Sequence, residues 1–439
     1  MKSVLNRISE PVGGHRPSSA IQVGIHPCRQ GICWLFILSI PWSACFSWSP
    51  AAARAEDWLA FRGNNARSHS SQTGLPTQEK LAEAIAWKKA IPGRAVSGPI
   101  VVGGRVIVTS SDGPKDDRLY VVCFDAETGR RLWQRAFWAT GRTLHHPTSA
   151  VAAPTPASDG QRIFAFYSSN DLICLDLDGN LQWLRALTAD YPGAYNDTGM
   201  ASSPCVVGDT VVVQMECQGD SFAIGLDKRT GENRWRVERF PSANWTSPVA
   251  CNMNGREAVL LQSSDRLTAH DPQTGEQLWA YKAKCSSIPS LTLDGDAVLL
   301  PSGGMTALRL PSGDEASPSV LWKQNRLAPS AASPVACNQR VYIINGAGVL
   351  VAASCQNGEI LEQLRLAGTY WATPVVAGEY LYAVNQDGLL QVVRLPRGSG
   401  KAEIVARCEF GEPVLGSPAV GDGALFIRSL QHLWKLAGK

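Results

Sequence analysis

"FDAETGRRLWQ", residues 124–134, joins an aspartate-opened turn to a tryptophan, and near-copies of it recur along the chain. They read "LDLDGNLQWL" (175–184), "LDKRTGENRWR" (226–236) and "HDPQTGEQLWA" (270–280). Asp125 suits the head of a tight turn because its carboxylate accepts hydrogen bonds from the backbone just ahead. Gly129 suits the left-handed position that closes it. Trp133 follows Gly129 by four residues. A ring that large and flat fills the gap between two packed sheets, and its indole N–H still reaches a carbonyl. The phrase reads as a structural device, not a reactive one.

A second phrase sets the register of the whole chain: Ser, Thr or Gly before Pro, a short apolar stretch, a turn, then alternating apolar residues. It appears as "SGPIVVGGRVIVTS" (97–110), "SSPCVVGDTVVVQ" (202–214), "ASPVACNQRVYII" (332–344) and "ATPVVAGEYLYAV" (372–384), with four further copies. The anchors are Pro99, Pro156, Pro204, Pro248, Ser290, Pro334, Pro374 and Pro418, at intervals of 57, 48, 44, 42, 44, 40 and 44. Such a period, built of strand signals alone, predicts an all-β, eight-bladed β-propeller with one four-stranded antiparallel blade per repeat. Each Pro is expected to begin the innermost strand A, where a missing N–H does no harm. Strand D carries the tryptophan, so Trp87, Trp133, Trp183, Trp235, Trp279 and Trp322 are assigned to docking between blades.

The tryptophan spacing also predicts how the ring closes. Trp235, Trp279 and Trp322 precede the next anchor by 13, 11 and 12 residues, and Trp87 precedes Pro99 by 12. "AIAWKKA" (84–90) is therefore a strand D with no strands A to C before it, while the C-terminal repeat has A to C and no D. The two halves make one blade, which removes exposed sheet edges. The propeller is placed at residues 84–439, after an N-terminal extension at 56–83. Losing residues 56–80 is expected to be mild, and losing 56–91 to abolish cooperative folding.

This repeat resembles that of the PQQ-like (pyrroloquinoline-quinone-type) propeller family, which includes eight-bladed quinoprotein alcohol dehydrogenases and the assembly factor BamB. Residues 57–77, "DWLAFRGNNARSHSSQTGLPT", resemble a leader found before many secreted bacterial PQQ-like propellers. The likeness runs from Asp57 to the C-terminus. It weakens in the last three repeats, where Glu362 and Ala406 stand in the tryptophan position.

Of the 439 residues 44% are hydrophobic and 18% charged, with 40 Gly and 27 Pro, which fits an ordered chain rich in tight turns. The net charge of +3, without a Lys/Arg run, gives no footprint for nucleic acid. Residues 1–55 read as a signal peptide or leader: the uncharged "GICWLFILSIPWSACFSW" (31–48) precedes a small-x-small site at Ala53-Arg54-Ala55. Cleavage before Glu56 implies export to the periplasm or cell envelope, with no transmembrane span in the mature chain. A lipoprotein reading stays open because Ser43-Ala44 precede Cys45, although Trp42 is bulky for such a site. The nine cysteines beyond the leader are odd in number and sit singly in apolar runs, which suits buried free thiols.

A quinoprotein dehydrogenase, by the resemblance, implies an adjacent cysteine pair, a catalytic aspartate and a calcium held by Glu, Asn and Asp. The chain has no adjacent cysteines. Walker, His-Glu-x-x-His and Gly-x-Ser-x-Gly motifs are also missing. No catalytic, cofactor-binding or metal residue is assigned, and PQQ with calcium is kept as the alternative. What remains is the channel mouth. Trp245 and Trp371 each fall three residues before an anchor, and the two longest D–A connections carry Trp138, His145, His146, Tyr191 and Tyr195. Aromatic and polar loops on a rigid scaffold are a default place for binding. Two readings of the mouth stay open: a binding surface, or rings that plug the channel. The expected function is a monomeric, non-catalytic binding or scaffold propeller engaging an envelope protein or small ligand. A quinone- or metal-dependent oxidoreductase and a BamB-like assembly factor are the alternatives.

Overall fold

The computed structural model describes residues 57–438 apart from Asn65, Asn196, 313–316 and 397–399. The leader at 1–55, its cleavage site and Cys45 lie outside the described residues. Within them, no helix is long and apolar enough to cross a membrane.

Eight sheets form the eight blades, and within each the strands follow in sequence order from the innermost outward. Blade 1 comprises Ile100–Val102, Arg105–Asp112, Arg118–Asp125 and Arg131–Trp138 as strands A to D. Strands B and C are buried on both faces, so they read as near-continuous apolar runs: Val106, Ile107, Val108, Leu119, Val121 and Val122 are all fully buried. Blade 8 is composite. Ala419–Gly421, Ala424–Arg428 and His432–Ala437 supply strands A to C, and Ile85–Ala90 pairs antiparallel with His432–Ala437 as strand D. The strands A of blades 8 and 1 then lie side by side, which closes the ring.

The repeated turn works as its residues dictate. Asp125 Oδ1 accepts from the Thr128 N–H at 2.8 Å and the Thr128 hydroxyl at 2.7 Å, and these bonds hold its carboxyl below the usual range. Five of the six strand D tryptophans donate to this turn in the next blade. Trp87 Nε1 donates to the Glu127 carbonyl, Trp133 to Leu177, Trp183 to Lys228, Trp235 to Pro272 and Trp322 to Cys355, at 2.8–3.2 Å. Trp279 differs: its N–H meets Met253 Sδ of its own blade at 3.3 Å, and the corresponding next turn includes the undescribed residues 313–316. Glu362 and Ala406 occupy the same register as the tryptophans, just after the strand-D bulge. Glu362 replaces the indole by accepting from the Ala402 N–H of blade 7.

The turn glycine is needed twice over. Gly275 has φ +74°, and a Cβ there falls 2.7 Å from the Trp235 ring. Gly275→Ala is expected to cost about 2–4 kcal/mol, combining left-handed strain with the clash, as read from denaturant melts. A cost below about 0.5 kcal/mol refutes this account of docking.

Two readings need correction. Each anchor proline directly precedes strand A, as Pro99 does before Ile100–Val102, instead of opening the paired segment. The fifth anchor shifts by one: Leu291 takes the proline position, because Ser290 makes the contact that Ser247 and Ser333 make in the neighbouring blades.

The extension is built into the ring. Trp58 exchanges both backbone hydrogen bonds with Val101 of blade 1, and Leu59 accepts from the Ser158 N–H of blade 2. Arg62 Nη1 donates to the Leu291 carbonyl of blade 5 at 2.8 Å. His69–Ser70 add a parallel strand to Val375–Ala377 of blade 7, and Gln72 Oε1 accepts from the Gly423 N–H of blade 8. Residues 60–64 form a turn tied back to Asp57 and Leu59 by Asn64, and they lie beside strands A of blades 2 to 4. Arg62 reaches blade 5 with its side chain, and the backbone meets that blade at Ala66, whose carbonyl accepts from the Thr292 hydroxyl. The expected mild effect of losing residues 56–80 does not fit this arrangement.

Candidate functional site at the channel mouth

The residue before each anchor position supplies an interblade bond that repeats around the channel. Gly98 N donates to Thr155 Oγ1, Thr155 N to Ser203 Oγ, Ser203 N to Ser247 Oγ and Ser247 N to Ser290 Oγ, at 2.9–3.0 Å. Ser290 N then donates to Ser333 Oγ, Ser333 N to Thr373 Oγ1 and Thr373 N to Ser417 Oγ, at 2.9–3.0 Å. The sequence separations of these pairs, 57, 48, 44, 43, 43, 40 and 44, give the true repeat lengths. The belt is interrupted only at Gly98, where blade 1 approaches so closely that a Cβ falls 2.6 Å from the Ser417 carbonyl oxygen.

Two residues before each belt position, a side chain faces the channel. Val96, Ala153, Ala201 and Ala331 are the small members of this collar, and Trp245, Ile288, Trp371 and Leu415 the large ones. Collar and belt enclose a cavity of about 330 Å³. Phe61, supplied by the extension, lines it as well. The extension contacts the ends of strands A farthest from the collar, so the channel is open at the collar and closed beyond the belt. The site is a blind well with apolar walls and a hydroxyl-ringed base.

Of the seven mouth candidates, His146, Trp245 and Trp371 line the well. Trp371 is 39% exposed; Trp245 is half-buried, its Nε1 donating to the Gly199 carbonyl at 2.7 Å. His146 joins the two long connections, its backbone N–H donating to the Thr198 carbonyl. The other four lie elsewhere. His145 is held against Asp116 by a 3.1 Å bond from Nε2, and Trp138 stands exposed beside Arg118. Tyr191 packs edge-on against Phe222 and accepts from Asn233 Nδ2, and Tyr195 lies under the Arg142 guanidinium. Of the two long connections, only the innermost residues reach the well. The belt, the collar members Ile288 and Leu415, and Phe61 were missed. For the belt a signal existed: Ser or Thr precedes the anchor in nearly every copy of the phrase.

The chemistry of the lining is narrow. It contains hydroxyls, one imidazole and apolar surface, and no Asp, Glu, Lys or Arg. Among the described residues no group of His, Cys, Asp and Glu could hold a metal ion. The nine cysteines are unpaired; burial pushes the Cys123, Cys174 and Cys285 thiols up to about 12. A quinone held by calcium needs several oxygen ligands around the ion. These residues do not fit that group, and no step is derived through it.

The model of the family described as "Outer membrane protein assembly factor BamB" matches residues 42–194, 117–284 and 280–403. The outer membrane protein assembly factor BamB of Yersinia pestis is 22% identical over 330 residues, covering 72% of this chain and 78% of that protein. The crystal structure of BamB from Moraxella catarrhalis superposes with a TM-score of 0.58 at 17% identity, covering 80% of this chain and 96% of that one. A europium-containing methanol dehydrogenase does so with a TM-score of 0.63 at 14% identity, over 86% and 90%. At these identities the superpositions carry the fold alone. The family matches extend over most of the propeller, and the chain belongs to this PQQ-like repeat family, described as outer membrane protein assembly factor BamB.

Proposed function

We propose that the protein is a non-catalytic binding or scaffold propeller of the cell envelope that engages a ligand or partner at the collar face. The observation that carries this is the blind well: Trp245 and Trp371 beside small collar residues, above a hydroxyl belt, with no charged side chain in the lining. Such a site offers apolar contact and hydrogen bonds, and it lacks the paired acid and base that most bond-breaking chemistry uses. Family membership supports the envelope setting and favours, as a second reading, a part in outer-membrane protein assembly.

Capture from envelope extracts tests the site. The intact chain is expected to retain a partner or ligand that Trp371→Ala loses at least tenfold, with an unchanged melting profile. Equal capture by both places binding away from the mouth. A tight, stoichiometric complex with pyrroloquinoline quinone and calcium that oxidises alcohols overturns the non-catalytic reading. Normal outer-membrane protein levels in a strain lacking the chain overturn the assembly reading.

A further inference from the structure

We propose that the well receives a carboxylate on an apolar body, the belt hydroxyls taking the carboxylate and the tryptophan collar holding the body. This rests on the mouth being a binding site and adds the ligand's chemistry.

A serine or threonine hydroxyl has one hydrogen to donate and two lone pairs that accept. Each of the seven belt hydroxyls uses a lone pair on the N–H of the preceding blade. Among the described residues none of the seven donates in turn to a protein acceptor, and all seven line the well. A ring of O–H donors with no acceptor opposite suits a ligand rich in acceptors and poor in donors. A carboxylate is such a group, accepting through two oxygens and donating nothing.

The charges nearby have the matching sign. Arg62 and Arg428 are 2% and 1% exposed, and among the described residues neither has a carboxylate partner; the Arg62 guanidinium lies 5.1 Å from the Phe61 ring centroid. Beyond Arg62 Nη1 on the Leu291 carbonyl and Arg428 Nη1 on Ser97 Oγ, their Nε and Nη2 atoms are unpartnered. Leu291 follows the belt residue Ser290, and Ser97 precedes Gly98 at the seam, so the two cations flank the belt from opposite sides of the ring. Arg62 also lines a smaller cavity of about 210 Å³ that shares Phe61, Ser203 and Ser247 with the well. Burial without a counter-charge brings both guanidinium groups down to about 9. An unpaired buried cation is costly, and an anion within the channel relieves that cost.

The collar decides what kind of anion. Inorganic phosphate or sulfate leaves Trp245, Ile288, Trp371 and Leu415 without contact, whereas an aryl or alkyl acid uses both halves of the site. The cavity volume lies at the small end of ligand sites, which suits a compact monocarboxylate.

Calorimetric titration and tryptophan fluorescence of the intact protein with 3-phenylpropionate and its neutral analogue 3-phenylpropanol test the proposal. The acid is expected to bind at least tenfold more tightly and to raise the melting temperature more. Arg62→Gln and, separately, Arg428→Gln, each checked by its own melt, should weaken the acid and leave the alcohol unchanged. A tripeptide ending in leucine, with a free or an amidated C-terminus, distinguishes a chain end from a free small acid as the source of the carboxylate. Equal affinities for acid and alcohol overturn the carboxylate and leave the mouth standing as a binding site. Binding of neither probe also overturns the proposal, while the Trp371→Ala capture still decides the mouth independently.

Discussion

Removal of residues 57–91 is expected to abolish cooperative unfolding. The deletion takes away Ile85–Ala90, the outer strand of blade 8, and leaves the hydrogen-bonding edge of His432–Ala437 bare. It also removes Trp87, whose indole is docked on the Glu127 carbonyl and against Gly129 of blade 1, and Lys88, whose ammonium lies 4.2 Å from the Trp434 ring centroid. Leu433, Trp434 and Leu436, all buried in the intact ring, lose their cover. The shorter deletion of residues 57–76 keeps the blade but removes the segment that contacts strands A of blades 1, 2 and 7. It loses Trp58, 3% exposed, and by the usual cost of deleting a buried aromatic it destabilises by at least about 3–5 kcal/mol while unfolding stays cooperative. Scanning calorimetry and far-ultraviolet dichroism of the two truncations separate these outcomes. Equal melting of both, or a sharp transition in the longer deletion, contradicts closure by the N-terminal strand.

The tryptophans divide into two energetic classes. Trp235 and Trp322 are 6% and 8% exposed, and each donates to a carbonyl of the next blade. Change of either to Ala opens a cavity between blades and is expected to cost about 3–5 kcal/mol. Trp183 and Trp279 belong with them, and Trp133, half-buried, falls at the lower end. Trp371 is 39% exposed at the mouth, so its loss removes contact surface without separating blades, at about 0.5–2 kcal/mol. Urea melts of the single mutants decide the matter. A Trp371→Ala cost equal to that of Trp235→Ala shows a packed plug at the mouth and removes the basis for a binding well.

The ring was legible because its closure is written in spacing. A turn that needs Asp and Gly, a tryptophan at a fixed distance from it and a proline before strand A leave marks that survive repetition, and their phase assigns Ile85–Ala90 to the last blade. The fifth repeat was misread by one residue because Leu291 lacks the proline mark. The extension was harder. Trp58, Arg62 and Ser68 make their contacts with blades more than forty residues away, and nothing periodic announces them. The well was legible only in part, since Trp245 and Trp371 are conspicuous in sequence while Ala153, Ala201 and Ala331 act by being small. The unpaired state of Arg62 and Arg428 is a three-dimensional fact. A sequence shows that an arginine is present, not that no carboxylate reaches it.

The pairing of Ile85 with Leu436 has a kinetic consequence. During synthesis Ile85–Ala90 emerges long before its partner, His432–Ala437, which follows hundreds of residues later. Blades 1 to 7 can collapse in order as they appear, but the ring cannot lock until His432–Ala437 has been made. Until then the apolar face of Trp87 and the inner edges of the strands A that the extension will cover are open to wrong partners. Contacts this distant in sequence close slowly, and species waiting for them are prone to aggregate. In the finished molecule the strand C edge of blade 8 is covered by Ile85–Ala90.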